Sequence, residues 1–218
     1  MSGKKSFETM RARILECALV HVPFDGWSEK SLMAGAKDAG YAPPLALDAF
    51  PGGVPDAIEF ASERADAAML DACERSGGLK EKRVRERIAA AVRLRLELSL
   101  GEREAIRRAL AFLALPQNAP LGLKLVWRTV DAIWYAAGDS ATDFNFYTKR
   151  ALLTGVYSAT MLYWLNDSSP GSAETWRFLD RRIEEALSLP RLLGSLRERI
   201  AALPRRFRAP GPARHRPR

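Results

Sequence analysis

The sequence predicts an all-α fold of nine or ten helices. Three observations carry that reading. Apolar residues recur at three- and four-residue spacing in one segment after another. Gly, Pro and Asn clusters separate those segments. Ala, Leu and Arg dominate the 218 residues and β-branched residues are scarce, which favours helix over sheet. No segment reads as a convincing strand, and no internal repeat is present.

The first helix is expected over Phe7–Val20, where Met10, Ile14, Leu15, Ala18 and Leu19 keep the helical period, and the stretch around Pro23 ends it. Ser28 is a good N-cap for a second helix that runs to Ala39, with Gly40 just past its end. Pro43 and Pro44 suit the first turn of a short third helix that stops before Pro51-Gly-Gly. Three short helices with a Gly turn between the second and third resemble a helix-turn-helix module over residues 1–55. The next helix spans Asp56–Ser76, with Ile58, Ala61, Ala65, Ala68, Met69 and Ala72 as its inner stripe. Lys80–Leu98 follows, with Val84, Ile88, Ala91, Leu94, Arg95 and Leu98 in register. Arg103–Leu115 is stopped by Pro116, and Leu121–Ala137 is strongly apolar. A further helix runs to about Leu165, where Asn166-Asp-Ser-Ser-Pro-Gly breaks it before Ala173–Leu189. This ligand-binding-sized unit covers residues 56–190. A terminal helix is expected over 191–208 and a disordered basic tail over 209–218.

A hydrophobic content of 47% and a charged content of 28% are those of a soluble globular protein. The formal net charge of +8 suggests nucleic acid until it is located. Residues 191–218 hold nine Arg and one Glu, so the first 190 residues carry 25 basic and 25 acidic groups and are neutral. The cationic tail therefore points to an acidic surface, such as lipid headgroups or nucleic acid. Cys17 and Cys73 lie in helical patterns and read as small core residues in a reducing compartment. Met1–Phe7 is polar, with no apolar signal region, and no run reaches the ~20 apolar residues of a membrane span.

Catalytic machinery is not legible. The two histidines, His21 and His215, join no cluster with metal-ligand spacing, and the Gly pairs are loop breakers. Asp139 and Asp143 could pair as acid and base. Capping is the favoured reading: they satisfy backbone donors at a helix start, where Ser140 and Asp143 have capping-box spacing.

Aromatics concentrate late in the chain. Trp127, Trp134, Trp164 and Trp176 lie there with four of the five tyrosines. Phe144, Phe146 and Tyr147 fall within one helical turn, so they cannot all face one core, and Trp134 beside Tyr135 poses the same problem. Outward aromatics mark a binding surface. Ala151–Leu165 is uncharged and should be wrapped by other helices. It either fills the core or lines an apolar cavity, with Gly155, Ser158 and Ala159 leaving room. At the C-terminus Leu192, Leu196, Ile200, Leu203 and Phe207 form an apolar stripe, and Arg197 and Arg199 are among its flanking arginines. That is the pattern of an interfacial membrane helix, the alternative being a helix packed on its own domain.

Four stretches resemble the Coq-nine family of ubiquinone-biosynthesis accessory proteins: AGDSATDFNFYTKRALL (137–153), LPQNAPLGLKLVWRTVDAIWYAAGD, LNDSSPGSAETWRFLDRRI and ALVHVPFDGWSEKSLMAGAKDAG. The resemblance covers about residues 10–190. It implies a TetR-regulator-like bundle with a degenerate helix-turn-helix, often a homodimer, that does not bind DNA. It implies no catalytic role and no cofactor, but a bound isoprenoid quinone intermediate or phospholipid in an apolar cavity. On this chain the cavity residues would be Leu125, Leu152, Val156, Tyr157, Thr160, Met161 and Trp164. It implies a C-terminal helix docking on membrane lipids through Leu192, Leu196, Arg197, Arg199, Ile200, Leu203 and Phe207. It implies a partner, the di-iron demethoxyubiquinone hydroxylase, held by Ile133, Trp134, Asp143, Asn145, Phe146 and Tyr147. The family often has Trp where this chain has Phe146. With no targeting segment read here, the expected place is the cytoplasmic face of the inner membrane. A TetR-type transcription regulator is the runner-up, but Tyr41–Phe50 (YAPPLALDAF) has no basic or amide side chain to reach phosphates or bases.

Overall fold

The computed structural model describes residues 2–75, 82–138 and 144–186. Among these, every regular element is helical: α1 (Ser2–Asp25), α2 (Glu29–Asp38), α3 (Leu45–Ala49), α4 (Val54–Arg75), α5 (Val84–Glu97), α6 (Arg103–Leu113), α7 (Ala119–Ala136), α8 (Phe144–Asn166) and α9 (173–186). The segment 191–208, the tail and the capping residues Asp139, Ser140 and Asp143 lie outside the described residues.

α1 runs one turn beyond its expected end. Pro23 sits in its last turn, where the fixed φ suits a helix and only one backbone bond is forfeited. The Pro23 carbonyl instead accepts from Arg108 Nη2 at 2.8 Å, which ties α1 to the α6 helix. α2 starts as its sequence predicts. Ser28 and Ser31 exchange side-chain and backbone hydrogen bonds of 3.1 and 3.2 Å in a capping box. Gly40, at φ +82°, ends it. Gly35 is the contact point between α1 and α2: a Cβ there would lie 2.5–2.6 Å from Ala18 backbone and side-chain atoms. Only glycine lets the two helices cross so closely.

Two cores result. The first gathers Ile14, Leu15 and Ala18 of α1, Leu32 and Ala36 of α2, Ala46 and Ala49 of α3, with Phe50 and Ala57. Arg11 closes its edge, paired with Asp56 and lying 4.3 Å from the Phe60 ring centroid. The second core gathers α4, α5, α7, α8 and α9 around Met69, Ile88, Val92, Ile133, Leu153, Trp164 and Leu179. α4 is long enough to contribute to both.

The inner stripes of α4 and α5 differ from the apolar pattern. Ala68 is exposed, as are Val84 and Leu98. Asp66 takes a buried place on α4 instead, facing buried Arg95 on α5. An ion pair, invisible to hydrophobic periodicity, rotates the buried faces. Cys73 is buried, and desolvation raises its thiol pKa. Cys17 is only half-buried, against the core place expected for it.

The turn from α8 to α9 is built by polar groups. Asp167 accepts from Ser169 N (2.8 Å), Thr175 N (2.9 Å) and Thr175 Oγ1 (2.6 Å). The Thr175 hydroxyl first, with the Ser169 bonds, holds that carboxyl well below its ordinary range. Gly171 and Ser172 follow at φ +61° and +55°. Ser172, a non-glycine in the left-handed region, is pinned by Arg103 Nη2 at 2.7 Å. Arg103 also lies over the Trp164 ring at 4.4 Å, so the turn is fastened to the core.

Candidate functional site

Small side chains at helical spacing leave the space between several helices unfilled. Ala61 and Ala65 on α4, Ala105 and Ala109 on α6, and Ala119 and Gly122 on α7 all face one cavity of about 480 Å³. Leu19, Trp27, Ile58, Ile106, Leu110, Val126 and Met161 complete walls that are mostly apolar. The cavity opens to solvent past Leu123 and Leu162, which line it and are 68% and 55% exposed. The Trp27 indole donates to the Ala105 carbonyl at 2.9 Å, bracing the α1–α2 connection against α6 at this wall.

One part of the wall is polar. Arg95, Ser99, Thr129 and Tyr157 reach the cavity together, with Glu102 nearby. Asp66, behind them, accepts from Arg95 Nε at 2.8 Å and from Thr129 Oγ1 at 3.0 Å. Arg95 Nη1 donates to Ser99 Oγ at 3.1 Å. Burial alone would lower the Arg95 pKa, but neighbouring Tyr157, Asp66 and Glu102 hold it above its ordinary value, so the guanidinium stays charged. Desolvation raises the Tyr157 phenol against the opposing pull of Arg95, and it stays protonated. Loss of water around Glu102 likewise raises its carboxyl, while Arg95 and Arg64 pull it down. The cavity is thus a greasy space with one hydrogen-bonding end.

The expected cavity residues divide. Leu125, Tyr157 and Met161 line the cavity. Leu152, Val156, Thr160 and Trp164 do not: Val156 and Trp164 pack in the second core, and Thr160 Oγ1 donates to the Val156 carbonyl at 2.7 Å. The reason is rotational. On α8 the cavity takes Tyr157, Ser158, Met161 and Leu162, a stripe two residues wide at a spacing of four, and the next faces belong to core and solvent. Ala151–Leu165 is therefore not fully wrapped; Leu162 and Tyr163 are exposed, Tyr163 stacking on Phe178 at 4.6 Å. The contribution of α4 and α6 was missed. Its signal is in the sequence as alanines four apart, a pattern that equally marks close helix packing.

The expected partner patch also divides. Ile133 and Trp134 are buried, 0% and 5% exposed, on the stripe Val130, Ile133, Trp134, Ala137. Neither can form a surface; this corrects their assignment. Their burial follows from the three-four period, which places Tyr135 on the opposite side of α7, 70% exposed. Tyr147 is 64% exposed. Asn145 and Phe146 are helical in backbone, and their side chains, with Asp143, lie outside the described residues. The membrane residues Leu192, Leu196, Arg197, Arg199, Ile200, Leu203 and Phe207 also lie outside them. Among the described residues no helix is long and apolar enough to cross a membrane. Nor do His, Cys, Asp and Glu gather there in a group able to hold a metal ion.

Residues 119–190 match the COQ9 family model. Ubiquinone biosynthesis protein COQ9, mitochondrial, from Drosophila melanogaster is 36% identical over 189 residues, 85% of this chain and 58% of that protein. The Homo sapiens protein of the same name is 33% identical over 191 residues, covering 85% and 60%. The chain thus spans about three-fifths of the length of these curated relatives. Among solved structures, the TetR transcriptional regulator from Nitrosomonas europaea ATCC 19718 superposes with a TM-score of 0.66 at 22% identity, over 82% of this chain and 98% of that one. The last likeness speaks for the fold alone. With the family model on α7 to α9 and the similarity running through the cavity-forming helices, this chain is similar to the COQ9 family over most of its length, on a TetR-like all-helical fold.

Proposed function

We propose that this protein is a non-catalytic accessory protein of ubiquinone biosynthesis. It holds an isoprenoid quinone intermediate in the cavity and presents it to the demethoxyubiquinone hydroxylase at a membrane surface. The single observation that carries the reading is the open apolar cavity with one polar end, in a chain whose relatives are named for ubiquinone biosynthesis. A cavity of about 480 Å³ is of the size that buries a drug-sized or lipid-like ligand, and its exposed leucine rim suits entry from an apolar phase. Docking of the partner falls to the face that carries exposed Tyr147, and membrane attachment to the Arg-rich stripe of 191–208. Each Arg near an anionic surface contributes on the order of 1 kcal/mol. Dimerisation and a place on the inner membrane, mitochondrial in the relatives' names, belong to the same reading.

A regulator role is less well supported. α3 is five residues, LALDA, and its one charged side chain, Asp48, would repel phosphate. The deciding experiment is native mass spectrometry with lipid extraction on protein purified from a ubiquinone-making host. A co-purifying isoprenoid quinone or phospholipid is the expected result. An empty protein that shifts its own promoter fragment would overturn the reading.

A further inference from the structure

The polar end of the cavity is assembled from more groups than the fold uses. Asp66 is satisfied by Arg95 and Thr129, and Arg95 spends Nε and Nη1 on Asp66 and Ser99. Among the described residues no hydrogen bond is made by Arg95 Nη2 or by the Tyr157 hydroxyl, and neither atom is among the fully enclosed polar atoms left without a partner, so both are reached from the cavity. Both residues line the cavity and are more than nine-tenths buried, at 7% and 3% exposure. A phenol and a guanidinium nitrogen facing an apolar space without partners are costly unless something in that space accepts from them.

The charge balance narrows what that acceptor is. Arg95 is paired with Asp66 at 2.8 Å; Arg128, 3.8 Å from the same carboxylate, is itself paired with Glu59 and Glu63, and solvent-exposed Glu102 adds a further acid at the cavity wall. The end of the cavity therefore offers hydrogen bonds without net positive charge. A phosphate would bring an uncompensated negative charge next to two acids and into apolar walls. A neutral ring oxygen brings no such cost and accepts from both donors at once.

We infer that Tyr157 and Arg95 form the head-group subsite of the cavity, taking a neutral oxygen acceptor such as the ring carbonyl of a quinone, while the alanine-lined remainder takes its apolar tail. This rests on the reading of the cavity as a lipid site and assigns its polarity: ring inward at Tyr157, tail toward Leu123 and Leu162. It also makes Tyr157 a selectivity residue. Ligands of equal apolar bulk are ranked by the oxygen they present to it.

The test uses the full chain and the variant Tyr157→Phe, which removes one hydroxyl and no packing. Binding is read by displacement of the neutral apolar dye N-phenylnaphthylamine. The competitors are decylubiquinone, dodecylbenzene as its oxygen-free counterpart, and lysophosphatidylglycerol. The expected result is that wild type binds both ring compounds and Tyr157→Phe loses roughly five- to tenfold in affinity for decylubiquinone only, the worth of one hydrogen bond. Its thermal midpoint should stay the same or rise, since the lost hydroxyl has no partner in the protein. Unchanged decylubiquinone affinity, or an equal loss for dodecylbenzene, overturns the subsite and leaves the cavity reading standing. A loss confined to lysophosphatidylglycerol overturns it in favour of a phosphate site. Failure of every competitor on wild type overturns the cavity reading and the subsite with it.

Discussion

Asp66 and Arg95 form a salt bridge of 2.8 Å between α4 and α5, with less than a tenth of either side chain exposed. The pair joins the second core to the polar end of the cavity, so its two halves are not equivalent. Asp66→Ala strands a guanidinium beside apolar walls and should cost about 3–5 kcal/mol. Arg95→Met should cost less, because Asp66 keeps Thr129 at 3.0 Å and has Arg128 at 3.8 Å. Urea unfolding of the two variants measures the order. Equal losses would mean that the pair acts as packing rather than as charge.

Gly35 allows the α1–α2 crossing at Ala18. Gly35→Ala should destabilise the protein by roughly 1–3 kcal/mol through overpacking, despite alanine's better helix propensity. Thermal melts read this directly. A stabilised variant would show that the helices can part without loss.

Asp167 organises the α8–α9 turn through Ser169 and Thr175. Its folded pKa is depressed below the ordinary 3.8, so its contribution is complete above that pH and is lost as pH falls below it. Asp167→Ala should lower the melting midpoint by roughly 2–4 °C near neutrality, the effect of one capping side chain at this chain length. The gap between variant and wild type should close in acid. A gap independent of pH would place the stabilisation elsewhere.

Tyr147 and Ile133 were expected on one docking face, and the structure separates them into surface and core. Tyr147→Lys should abolish hydroxylase binding while changing stability by no more than about 0.5 kcal/mol. Ile133→Ala should cost about 2–5 kcal/mol and weaken binding only through unfolding. Pull-down paired with circular dichroism distinguishes the two. Normal binding by Tyr147→Lys would end the docking assignment.

Truncation after Pro190 should abolish association with anionic liposomes, because nine arginines and the apolar stripe leave together. Co-sedimentation at low and high salt checks it. Retained binding would move the membrane contact into the helical body, where Leu123 and Leu162 stand exposed.

Much of this was legible from residues alone. The helical class, the Ser28 cap, the glycine at position 40, the break at 166–171 and the rule that neighbouring aromatics such as Trp134 and Tyr135 cannot share one face are local facts, although which of the two turns outward was not among them. Local sterics and a 3.6-residue period suffice to read them. The same period placed Arg95 on the inner side of α5, and the resemblance put Leu125, Tyr157 and Met161 at the cavity.

The tertiary structure decided the rest. Periodicity says that a face is buried but not whether it meets a neighbour or a void, so Val156 and Trp164 went to the core while Ser158 and Leu162 went to the cavity wall. It also gives no value to a buried charge, so it favours Ala68 on the inner face of α4, where the structure has Asp66 buried opposite Arg95. The sequence by itself determined which segments are helices and, the end of α1 apart, nearly where they stop, because those depend on neighbours along the chain. Which faces meet, how much space alanine leaves between them and which donors remain unpaired in that space depend on neighbours far along the chain, and only packing sets them.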